Sequence, residues 1–399
     1  MKFINQNLNP DKLIDGVFPV LKAAKEDLDP SKVNATIGSL YDENNNLVTF
    51  NSFYDEYHNL DNKIFARYAE SISGNPNFNE AVLKHVLEDK VKLYTSTIAT
   101  SGGTGAVSLT IKNILNRDDI ILLPNIGWSS YSLMANEYGL NILNYDIYNL
   151  DVLIEKIKYI STKQSKLLVV INSPCHNPCG LSYTKDDFNK IISCLNNLNM
   201  PCVLLNDIAY IDYSNDLKHS RDYMDAFNYI NDNVLVVVAF SISKTMTSYG
   251  LRCGSAIIIS KTKKDNDEVY NTFEKTARAT WSNINNSAMY NFANVINNHL
   301  DDYNHEKDKY IKLIKERADL FIKEADEVGL NYYPYQEGFF ITLKTEDNKK
   351  RNLIHASLIQ NHIYTVKVNL GIRIAICSIA LNDLKGLAKR IKSLMAIVE

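Results

Sequence analysis

Lys244 stands three residues after Ser241 and eight before Arg252, among small residues and directly behind the apolar run Val234–Phe240. A lysine amine condenses with aldehydes, and does so best where partial burial strips water from the ammonium and lowers its pKa. Ser241, a glycine-permitting turn and Arg252 supply hydroxyl and amide donors plus a planar bidentate cation, the groups a phosphate dianion needs. A small molecule with an aldehyde at one end and a phosphate at the other would be gripped twice by this segment. Taken by itself, Lys244 is equally well a solvated lysine in a loop after a buried strand.

Further segments bear on that choice. Asp207 follows the strand-like run 202–206, where an open α/β sheet presents its ligand-binding edge. A carboxylate there can keep a pyridine nitrogen protonated, and a protonated ring accepts carbanion charge, which points to pyridoxal 5′-phosphate. Tyr210 lies three residues on, within reach of that cofactor's phenolic oxygen. Leu167–Ile171 runs into a Pro- and Gly-punctuated turn carrying Asn177, a side-chain amide suited to the same oxygen. Ser101–Ala106 is glycine-rich and opens a helical pattern from Ala106 to Leu115, so its backbone can crowd a phosphate at a helix N-terminus. Trp128, one of two tryptophans, sits in the polar segment Pro124–Tyr131 after a strand, a loop setting more than a packed one. Each fragment alone is ordinary, since an Asn-Pro turn is usually a turn and a post-strand Asp is often a helix cap.

The order of Asn177, Asp207, Lys244 and Arg252 on successive post-strand loops resembles the aspartate/aromatic aminotransferase group of fold type I pyridoxal-phosphate enzymes, over about Val33 to Ser378. The resemblance implies an α/β fold with a mostly parallel sheet flanked by helices plus a smaller α/β domain. It assigns Lys244 as the catalytic lysine and Gly103, Thr104, Ser241 and Arg252 to the phosphate, with Gly102 replacing a serine common there. It places Trp128 on the ring, Asp207 at the ring nitrogen, and Asn177 and Tyr210 at the phenolic oxygen. Tyr68 resembles a tyrosine that reaches the neighbouring subunit's phosphate, which implies a homodimer, although its spacing to Gly74 is loose against the family pattern.

Substrate residues follow from the same likeness. Arg373 begins an alternating strand, Gly371–Ser378, where a semi-buried guanidinium is costly unless an anion meets it. The family's arginine there clamps the substrate α-carboxylate, and Gly38 resembles a glycine whose backbone approaches the same group. Arg278, followed by Trp281 and Ser282, resembles the arginine that aspartate aminotransferases send across the dimer to a distal carboxylate. The implied reaction moves an amino group between aspartate or an aromatic amino acid and 2-oxoglutarate, and the implied partners are amino acids and 2-oxo acids. A β-carbon–sulfur lyase or a ligand-sensing regulatory module on the same fold stays open as an alternative.

The elements that must carry these residues alternate between apolar strands and helical stretches. Ile120–Leu123, Leu167–Ile171, Val203–Leu205, Val234–Phe240 and Ser255–Ser260 read as strands of a buried, mostly parallel sheet. Ser130–Tyr138 and Tyr183–Leu195 have helical periodicity, and a long charged amphipathic region follows from Asn285 to Val328. The polar insert Ser214–Tyr229 reads as a surface loop with a short helix. With 399 residues, more than one core is expected. The division anticipated is residues 1–40 and 301–399 as the smaller domain and 41–300 as the cofactor-binding one. A net charge of -3 gives no basic footprint for nucleic acid or an anionic membrane. Met1–Pro10 lacks an apolar signal core, and the six cysteines show no metal-ligand spacing, so a cytoplasmic protein without a metal site is expected.

Overall fold

The computed structural model describes residue 3, residues 11–13 and residues 16–398. The reading of the first ten residues as lacking a signal core therefore falls almost wholly outside the described residues. The strands are β1 (Val33–Asn34), β2 (Tyr94–Thr100), β3 (Ile120–Pro124), β4 (Asn141–Tyr145), β5 (Leu167–Asn172), β6 (Cys202–Asp207), β7 (Val234–Ser241) and β8 (Gly254–Ser260), followed by β9 (Phe340–Lys344), β10 (Ile363–Tyr364), β11 (Val366–Val368) and β12 (Gly371–Ala375).

A seven-stranded sheet in the order β2-β8-β7-β6-β5-β3-β4 forms the centre. Its pairs are parallel except where β8 runs against β2 and β7. β5, β6 and β7 are buried along their whole length. Their unbroken Leu/Val/Ile runs are what a parallel strand covered on both faces requires. The helix Gly102–Ile114 covers one face, packing on β6, β7 and β8, and β5, β6 and β7 end at Asn172, Asp207 and Ser241. The fold is thus α/β, with a mostly parallel sheet between helices.

A separate antiparallel sheet, β11-β12-β9, carries Arg373 in its middle strand, paired with Val366 and Thr342. β1 pairs in parallel with β10, so the N-terminal strand joins the C-terminal part of the chain. The amphipathic region after Asn285 is two helices, Asn286–Asn298 and Leu300–Glu327, divided at His299.

Three expectations are corrected. β2 and β4 were not anticipated: β2 opens on polar residues, and most of β4 is only half-buried or exposed, so neither shows an apolar run. The insert Ser214–Tyr229 is a surface loop only over 215–219, and the short helical stretch that follows, 222–229, is packed inward. Ser214, Ser220, Arg221, Tyr223, Met224 and Phe227 are buried, because Arg221 turns inward to meet Asp212.

Candidate active site

At the carboxyl ends of β5, β6 and β7 lies a cavity lined by Gly103, Thr104, Trp128, Asn177, Asp207, Tyr210, Ser241, Lys244 and Arg252. All nine were singled out from sequence. Tyr131, Asn172, Ala209 and Ser243 complete the wall and were not.

One end is built for an anion. The helix Gly102–Ile114 points its N-terminus here, and the Ser101 side chain does not cap it, so its first N–H groups are free of side-chain acceptors. Gly102 has φ +67°, and a Cβ on it would lie 2.6 Å from Arg252 Nη2. Only glycine lets the guanidinium come this close to the helix start. Arg252 Nη1 donates to Ser243 Oγ and to the Tyr249 carbonyl, both at 3.0 Å. Its own backbone sits in the left-handed region at φ 52°, a strained conformation for a non-glycine residue held in place by its surroundings.

Asp207 lies at the end of β6, 5 % exposed. Its Oδ2 accepts the Tyr131 hydroxyl at 2.5 Å, and its Oδ1 accepts the Ala209 N–H at 3.1 Å. Asn172 ties two loops together. Its Nδ2 donates to the Asp207 carbonyl at 2.9 Å, while its Oδ1 accepts the Asn177 N–H at 2.7 Å. Burial raises the Asp207 pKa, opposed by the Tyr131 and Ala209 hydrogen bonds and the Lys244 amine.

Lys244 is half-buried on the short helical turn Ile242–Thr245. Burial, then the charge of Arg252, lowers its pKa to about 8. Its Nζ lies 5.6 Å from the Tyr210 ring centre and 5.2 Å from that of Tyr249. The turn is anchored from behind. Tyr213 donates to the Lys244 carbonyl at 3.0 Å, and Thr245 donates to Asp212 Oδ2 at 2.7 Å. Asp212 is in turn held by Arg221 Nη2 at 2.6 Å, His85 Nε2 at 3.1 Å and Lys307 Nζ at 3.5 Å. Burial works against its charge, yet these partners hold its carboxyl well below the usual range.

Arg373 is buried beside this cavity. Its Nη1 donates to Asn177 Oδ1 at 3.3 Å and its Nη2 to the Thr36 carbonyl at 2.6 Å, while its Nε has no protein partner. The guanidinium stacks 4.4 Å from the Phe340 ring centre. Gly38 packs on the same ring: a Cβ there would lie 2.7 Å from Phe340 Cζ. Burial lowers the Arg373 pKa.

Two residues singled out from sequence are not brought to the cavity within this chain. Tyr68 is 85 % exposed. Arg278 is exposed at the end of the helix Lys263–Thr280, donating to Ser282 Oγ at 2.6 Å. Among the residues missed, Tyr131 had a usable signal: three positions after Trp128 at a helix start, it shares that residue's face.

The residues fit pyridoxal phosphate. The glycine-cleared helix start with Arg252 and Ser241 suits a dianion, the buried carboxylate suits a ring nitrogen, and the orphaned Nε of Arg373 suits a carboxylate brought by a substrate. Among the described residues no group of three His, Cys, Asp or Glu comes together as a metal site. No described helix is long and apolar enough to cross a membrane.

Residues 30–391 match the sequence profile of aminotransferase class I and II. Aspartate aminotransferase of Pseudomonas aeruginosa is 22 % identical over 283 residues, 67 % of this chain and 69 % of that one. Aromatic-amino-acid aminotransferase of Paracoccus denitrificans is 25 % identical over 262 residues, 63 % of this chain and 65 % of that one. Among solved structures, an aminotransferase from Anaerococcus prevotii has a TM-score of 0.93 at 28 % identity, covering 100 % of both chains. An aromatic-amino-acid aminotransferase from Burkholderia pseudomallei, covalently bound to pyridoxal phosphate, has a TM-score of 0.79 at 19 % identity, covering 96 % of this chain and 98 % of that one.

Proposed function

The chain belongs to the class I and II aminotransferases, enzymes that work with pyridoxal phosphate, and from that membership we propose that it moves an amino group between an L-amino acid and 2-oxoglutarate in two alternating half-reactions. The donor is aspartate, an aromatic amino acid, or both. The observation that carries this reading is the Lys244 amine and the Asp207 carboxylate on one cavity wall, with an anion cradle at Arg252 and a buried, under-bonded Arg373 beside it. When bound, the cofactor supplies an aldehyde that captures an amine and an electron-poor ring that takes charge from the substrate Cα.

The chain's own residues then do the positioning. Gly103, Thr104, Ser241 and Arg252 would hold the phosphate, Trp128 would cover the ring, and Asn177 and Tyr210 would donate to the phenolic oxygen. Asp207 would keep the ring nitrogen protonated. Arg373 grips the α-carboxylate by parallel hydrogen bonds, with Gly38 leaving room above Phe340, and so turns the Cα–H bond toward Lys244. Lys244, with its amine free, would accept that proton from the substrate Cα and return it in the opposite half-reaction. A pKa of about 8 lets it both accept and give the proton near neutrality. Arg278 and Tyr68 complete the partner's site in a homodimer, Arg278 at a distal carboxylate and Tyr68 at the phosphate. The smaller unit formed by residues 1–40 and 301–399 carries the carboxylate grip, residues 41–300 carry the cofactor, and the enzyme works in the cytoplasm.

The test is Lys244→Ala beside wild type, fed aspartate and 2-oxoglutarate. Wild type should yield glutamate and oxaloacetate in equal amounts without free ammonia, and the variant should lose turnover while still binding the cofactor through its phosphate. Near-normal transamination by the variant refutes the assignment.

A further inference from the structure

Tyr131 is 2 % exposed, and its hydroxyl lies 2.5 Å from Asp207 Oδ2, the short end of the range for a phenol donating to a charged acceptor. It forms part of the cavity wall. Its ring is locked by an edge contact with Trp128, centres 5.3 Å apart at 85°. The other Asp207 oxygen is taken by the Ala209 N–H, so each oxygen of the carboxylate has one fixed donor. Among the described residues, Tyr131 is the side chain that hydrogen-bonds this carboxylate.

We infer that Tyr131 is a positioning residue for the proposed reaction: its hydroxyl fixes the Asp207 carboxylate in one orientation and favours the charged form that faces the cofactor's ring nitrogen. The inference rests on the assignment of Asp207 to that nitrogen. A phenol suits the task because it offers a donor and keeps its proton. Burial and the neighbouring Asp207 charge both disfavour phenolate. The titratable groups facing Asp207 are Tyr131 from the helix Ser129–Glu137, Lys244 from the turn after β7, and Tyr210 downstream. Lys244 is consumed in holding the cofactor, which leaves Tyr131 as the lasting support of the acid's charge. Without it, burial is opposed by one backbone N–H, and the acid must become harder to ionise.

The experiment uses the full chain carrying Tyr131→Phe, with Tyr145→Phe as control. Tyr145 is also a buried phenol, but it donates to the Val170 carbonyl at 2.8 Å. Carbon-13 NMR of labelled aspartate in the cofactor-free protein follows the Asp207 titration, and fluorescence follows pyridoxal phosphate binding from pH 6 to 8.5. In Tyr131→Phe the Asp207 pKa should rise by about one unit, a tenfold change in acidity. The dissociation constant of the cofactor should rise about tenfold, more at the acid end, while Tyr145→Phe moves neither. An unmoved titration and affinity in Tyr131→Phe, or an equal change in Tyr145→Phe, overturns the inference. If Asp207→Ala binds the cofactor as well as wild type, the assignment of Asp207 itself falls, and this inference with it.

Discussion

Arg373 is a cation held by two neutral acceptors, with its Nε left without a partner. Such a group contributes little to folding and is retained for what it binds. Arg373→Met should therefore melt within a few degrees of wild type or above it, while KM for the amino donor rises about a hundredfold, the loss expected for a bidentate charged contact. Calorimetry with steady-state kinetics checks both halves together. Lys244 makes a second prediction. Its pKa falls from 10.5 to about 8 because burial and Arg252 disfavour the ammonium, and only the neutral amine attacks an aldehyde. The rate of cofactor capture by the empty protein, followed by stopped-flow absorbance, should rise with pH around a midpoint near 8. A midpoint near that of free lysine would show that the site does not desolvate it.

The turn that presents Lys244 depends on elements distant in the chain. Asp212→Asn would leave Lys307 buried without its countercharge and Arg221 with only the exposed Glu88, and unfolding by denaturant should show a loss of about 3–5 kcal/mol. At the helix start, Gly102→Ala meets both a left-handed φ and the Arg252 guanidinium, so cofactor affinity should fall at least about tenfold, measured by fluorescence titration. These two sites differ in how far they were legible beforehand. Asn177, Asp207 and Lys244 all follow sharp apolar-to-polar transitions, and local chain chemistry marks such strand ends, while the glycine loop is marked by its own composition. The Asp212 cluster draws His85, Arg221 and Lys307 from three separate segments, and no local pattern announces a buried ion pair between them. β4 hid for the opposite reason: as an edge strand it needs little apolar sequence.

Arg278 and Tyr68 mark where a single chain stops being informative, since both are exposed and lie away from the cavity. Their proposed roles require a second copy, which gives a test by mixing. Lys244→Ala and Arg278→Ala chains, refolded together, should form hybrids that regain aspartate turnover, because one site then has an intact lysine and the partner's intact arginine. If each arginine served its own chain, no hybrid site would be complete and turnover would stay low.

The pairing of Val33–Asn34 with Ile363–Tyr364 also has a consequence during synthesis. β1 leaves the ribosome long before its partner exists, and at ~5–20 residues per second the delay is roughly 15–65 s. Throughout that interval the nascent polypeptide can assemble its central sheet while an early hydrogen-bonding edge waits uncovered. Translation speed and chaperone protection of that edge therefore bear on yield in a way that equilibrium stability does not.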